Sequence, residues 1–73
     1  MKSGTLFFNR SCDRMDIQFS NGDTYGGLHC GECFEVKING RYIPTRIEKD
    51  TDWWLTNTEL YGFNNIAGHK ARI

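Results

Sequence analysis

Apolar and polar residues alternate along most of this chain. Met15, Ile17 and Phe19 are separated by Asp16 and Gln18, a period of two that marks a strand with one buried face. The run Thr5–Phe8 is shorter, apolar and bounded by Gly4 and Asn9. The two runs form a hairpin across the polar loop 9–13, with Cys12 near its tip. The clearest alternation lies in Cys33–Ile38 and Arg41–Glu48, on either side of Asn39-Gly40. Asn-Gly between alternating runs is a strong hairpin signal, because both central residues of a type I′ turn need positive φ. A two-residue loop sets Ile38 opposite Arg41, Val36 opposite Ile43 and Phe34 opposite Thr45. Phe34, Val36, Ile38, Ile43 and Ile47 then share the core face, while Glu35, Lys37, Tyr42 and Arg46 take the other. Pro44 has no N–H to give a ladder, so its position belongs at an edge or a bulge.

Residues 49–52 turn the chain, and Trp53–Thr56 reads as the next strand. Placing Trp53 in the core with Ile17, Phe19 and Ile47 brings Leu55 inward and leaves Trp54 and Thr56 outside. Residues 20–31 are turn-rich and too glycine-laden for a regular element. The stretch 57–68 is irregular, with at most a short helical turn near residues 58–62, and 69–73 closes as a last strand. Five or six short strands separated by turns predict an all-β fold: a small SH3-like, mostly antiparallel barrel, in a single domain spanning 1–73.

Length makes a staple useful. A 73-residue chain buries only about 60% of the surface its unfolded form exposes, so a metal ion would supply what a small core lacks. Nine Lys and Arg balance nine Asp and Glu, which argues against a nucleic-acid binder by bulk charge. The first residues lack the apolar run of a signal peptide, and no window approaches a membrane span. The expectation is therefore a cytoplasmic protein with reduced thiols, and three cysteines suit a disulfide framework badly.

Those cysteines carry the main candidate chemistry. Cys30 and Cys33, with Gly31 between them, have the spacing of half a zinc site, and glycine permits the tight turn that aims both sulfurs at one ion. Cys12 is the third candidate ligand, with His69 or His29 the fourth. Four protein ligands would make the Zn²⁺ structural. Against this stands an inert reading, in which both cysteines are small residues at a strand entrance. A redox dithiol is weaker, because such motifs usually open a helix and a strand follows here. Cys30 with His69 and Asn64 or Asn65 shows no spacing that asks for a nucleophilic triad. The glycines from Gly26 to Gly31 fail as a phosphate loop, since Glu32 stands where lysine belongs. Glu32 and Glu35 read as a solvated strand face. No enzyme is expected.

The stretch Leu28–Glu48, followed by Asp52–Leu55, resembles a small family of uncharacterised proteins, a domain of unknown function common on mobile elements of Gram-positive bacteria. The resemblance covers residues 4–55 and the ending 71–73. It implies a mobile-element or phage origin and carries over no catalytic residue. Small proteins of such elements include inhibitors of host defence, anti-CRISPR proteins among them.

Two functions follow as expectations. The first is a zinc-stapled protein-binding module, in its most concrete form an anti-CRISPR inhibitor that docks on a Cas9-type nuclease of the host and blocks target-DNA loading. Tyr42, Arg46 and Trp54 would form its aromatic–cationic interface, because hot spots favour Trp, Tyr and Arg. The second is a small barrel that binds nucleic acid by stacking bases on exposed aromatics beside cationic side chains.

Overall fold

The computed structural model describes the whole chain, Met1–Ile73. Six strands, β1 (Ser3–Asn9), β2 (Arg14–Phe19), β3 (Cys33–Ile38), β4 (Arg41–Lys49), β5 (Trp53–Leu55) and β6 (Lys70–Arg72), form one antiparallel sheet in the order β2-β1-β6-β3-β4-β5. Its single helical turn is α1 (Phe63–Ile66). The chain thus builds a hairpin, β1–β2, and a meander, β3–β4–β5. The last strand then joins them by pairing with β1 on one side and β3 on the other.

The expected register of the central hairpin is the observed one. Ile38 pairs with Arg41, Val36 with Ile43 and Phe34 with Thr45. Asn39 and Gly40 both have positive φ, 51° and 78°, as a type I′ turn requires. Pro44 lies opposite Glu35. Its carbonyl, past the end of β5, accepts a bond from Asn57 Nδ2 at 3.4 Å. This residue therefore sits where the strand has a free edge, and its missing N–H leaves no ladder bond broken.

Laid flat, six strands about 4.8 Å apart would span roughly 24 Å. Yet Leu6, Met15, Ile17, Phe19, Phe34, Val36, Ile47, Trp53, Leu55 and Ala71, drawn from every strand, form one buried cluster with Leu28 and Ile66. Only a sheet curled on itself brings β2 and β5 to a common core, so the fold is the small, barrel-like all-β domain expected. Trp53 and Leu55 are buried while Trp54 and Thr56 are half-buried, as strand parity requires. Ile38 and Ile43 depart from expectation. They pack against the core but stay half-buried, because they flank the hairpin turn at the barrel rim.

The helical turn lies later than residues 58–62. Thr58 Oγ1 donates to Leu55 O at 2.8 Å and accepts from Leu60 N, which folds that stretch into a side-chain-capped turn. The helical bonds begin at Gly62, whose carbonyl receives the N–H groups of Asn65 and Ile66. Burial of Ile66 holds the turn against the core. No helix is long and apolar enough to cross a membrane.

Candidate functional site

The cysteines lie around the long loop 20–32, which is ordered. Tyr25 N–H donates to Ile17 O at 2.9 Å and Leu28 N–H to Met15 O at 2.8 Å, so the loop covers the outer edge of β2. It then meets β4. Glu32 N–H bonds His29 O across a turn with Gly31 at φ 92°. Gly31 N–H donates to Ile47 O, and Ile47 N–H to Glu32 O. Two residues thus oppose one, a bulge whose first member must be left-handed, which explains Gly31 between the two cysteines. Glu32 fastens the turn further. One carboxylate oxygen takes His29 N–H at 2.9 Å and the other takes the Tyr25 hydroxyl.

The expected metal ligands do not gather around this bulge. All three cysteines are free and exposed. Cys12 and Cys30 line one pocket of about 350 Å³ with Arg14, Lys49 and Trp53, while Cys33 opens β3 and directs its thiol toward Gly31 O. His69 bonds Lys37 O at 3.0 Å, so it stands at the far end of β3, four residues and roughly 13 Å along the strand from Cys33. His29 is exposed in the turn. No three His, Cys, Asp or Glu side chains gather to hold an ion. The set Cys12, Cys30, Cys33 and His69 or His29 does not fit a four-ligand zinc cage in this arrangement.

The aromatic patch divides into two. Tyr42, Arg46 and Trp54 do share the outer face, but Arg46 pairs with Glu48 at 2.5 Å rather than with either ring. At one end Trp54 lies opposite Glu48 and bridges to Tyr61. The Tyr61 hydroxyl donates to Asp50 Oδ1 at 2.6 Å, which lowers the Asp50 pKa below its ordinary value. Asp52 and Glu59 flank the same region, and Tyr61 remains 45% exposed. This end is acidic and aromatic.

At the other end the sign reverses. The Tyr42 ring lies 4.0 Å from the Arg72 guanidinium carbon and 5.7 Å from Lys37 Nζ. Arg72 is itself tied to Glu35. Seven of the nine basic residues lie on strands, against three of the nine acidic ones, so a chain with zero net charge carries its cations on the sheet and its carboxylates on the turns. Lys70 and Arg72 were not singled out from sequence. Their alternation about Ala71 marks a strand face, but nothing local places that strand beside Lys37.

The family described as Domain of unknown function (DUF5348) matches residues 4–73. The chain belongs to that family. A crystal structure of a Ruminococcus gnavus protein, solved by the Northeast Structural Genomics Consortium, is similar at 40% identity with a TM-score of 0.86, covering 99% of this chain and 100% of that one. No curated protein matches.

Proposed function

We propose that this domain is a non-catalytic protein-binding module that docks on a basic surface of its partner through the Trp54–Tyr61 end. One observation carries the reading: an exposed tyrosine beside a half-buried tryptophan, set among Glu48, Asp50, Asp52 and Glu59. Aromatic side chains of this kind supply interface energy at small entropic cost, and the surrounding carboxylates orient a cationic partner. Arg46 neutralises Glu48, which leaves the other three carboxylates against Lys49.

In its most concrete form the partner is a Cas9-type effector of the host, with the module encoded by a phage or another mobile element. Such effectors hold nucleic acid in a positively charged channel, to which an acidic aromatic end is complementary. Support for this version comes from that charge match and from the resemblance described above. The test is a mobility-shift measurement of target-DNA loading by a purified guide-loaded effector. The domain should block loading, and Trp54→Ala with Tyr61→Ala should relieve the block while the variant stays folded. Normal loading under a large excess of domain would overturn the effector reading. Equal inhibition by the folded double variant would overturn the surface assignment.

A further inference from the structure

The outer face of the sheet carries a second site at its other end, away from Trp54. Gln18 pairs with Thr5, and Thr5 with Lys70. Val36 pairs with Ala71, so Lys37 and Lys70 occupy the next position of the same two strands, and Lys37 pairs with Tyr42. Gln18, Thr5, Lys70, Lys37 and Tyr42 therefore form one continuous row across five strands. A groove of about 530 Å³ opens along it, lined by Thr5, Gln18, Ser20, Tyr42 and Lys70 among others. Lys70 Nζ donates to Thr5 Oγ1 at 2.9 Å, which holds the ammonium over the groove. The nearest carboxylate on this face, Glu35, is neutralised by Arg72. Both lysines are left without an acidic partner among the ion pairs.

We infer that this groove binds single-stranded nucleic acid. Lys37 and Lys70 supply adjacent positive charges for successive phosphates, and Tyr42, steadied by Arg72, supplies an aromatic ring for a base. Thr5, Gln18 and Ser20 offer donors and acceptors to exposed base edges. A duplex presents phosphates but keeps its bases stacked within, so it would use the lysines and leave the rest of the groove idle. Zero net charge is no obstacle, because the carboxylates that balance these lysines lie on the turns. The site is separate from the Trp54–Tyr61 end, and the two stand or fall independently.

The test is fluorescence anisotropy with a labelled oligothymidylate of about twelve nucleotides, within the site size of small barrels. Wild-type protein should bind at low salt and weaken as salt rises. Replacing both lysines, Lys37→Gln and Lys70→Gln, should reduce the log–log salt slope by about 1.4, at roughly 0.7 per phosphate contact on a single strand. Tyr42→Ala should weaken binding by about tenfold, and Tyr42→Phe should retain most of it, as stacking requires. Melting curves establish that each variant is folded, and Tyr42→Phe keeps the ring in place if the alanine variant is not. The proposal is overturned by any of three results: no anisotropy change with folded wild-type protein, an unchanged salt slope in the double-lysine variant, or equal affinity for a blunt duplex of the same length.

Discussion

Asp16 Oδ1 accepts a hydrogen bond from the Gly26 backbone N–H at 3.0 Å, across ten residues of chain. The same carboxylate takes Ile17 N–H at 2.8 Å and Asn9 Nδ2 at 2.9 Å, and Asp16 is fully buried. A polar position on the outward face of β2 is thus roofed by the loop 20–32, and three neutral donors satisfy the buried acid.

Replacing this acceptor should be costly. Asp16→Ala leaves the Gly26, Ile17 and Asn9 donors without their partner and should destabilise the fold by roughly 2–4 kcal/mol. Asp16→Asn retains one acceptor oxygen and should lose less. Denaturant unfolding measures both, and hydrogen exchange at Gly26 should accelerate in each variant. An alanine variant as stable as the wild type would show that the roof contributes nothing.

Metal removal follows from the same contacts. Loop 20–32 is held by Asp16, by the backbone bonds to Met15 and Ile17, and by the bulge at Gly31. A strong chelator should therefore leave the melting temperature unchanged, and Cys30→Ser should lie within about 0.5 kcal/mol of the wild type, as for other exposed positions. Stoichiometric zinc in elemental analysis together with unfolding on chelation would refute this.

Acid should loosen the turn 29–32. Desolvation pushes the Glu32 pKa up, but the bonds from the Tyr25 hydroxyl and the His29 N–H, with the His29 charge, outweigh it and hold the group below its ordinary value of 4.5. A carboxylate whose folded pKa is depressed stabilises the fold fully above its unfolded pKa, and that contribution is lost as pH falls through the folded value. Tyr25 shows the converse. Its bond to Glu32, then desolvation and the Glu32 charge, raise its pKa above 10.0, so its share is lost only as pH rises beyond that. Glu32→Gln should flatten the acid limb of a melting-temperature profile, and an unchanged acid limb would contradict the assignment.

Gly4 should tolerate no side chain. A Cβ built there meets Gln18 O at 2.4 Å and Ile17 Cγ2 at 2.7 Å, and the first of these is backbone of the paired strand. Gly4→Ala must therefore part β1 from β2, at a cost of about 1–3 kcal/mol. Calorimetry should show a lowered melting temperature, with chemical-shift changes centred on Gln18 and Phe19.

What the sequence by itself determined is local. Period-two alternation and the Asn39-Gly40 turn specify the central hairpin, its register and the side of the sheet each residue faces, because turn geometry and strand parity act between near neighbours. Burial of Phe34, Val36, Ile47, Trp53 and Leu55 followed from them. Only the tertiary structure decided what the non-local pairings decide. Insertion of β6 between β1 and β3 sets Lys70 beside Lys37 and carries His69 away from the cysteines. Folding of loop 20–32 over β2 buries Asp16 at a position whose pattern reads as solvent-facing. Seven of the nine cations lie on strands and six of the nine carboxylates on turns and loops, and a sum over the chain cannot register that separation.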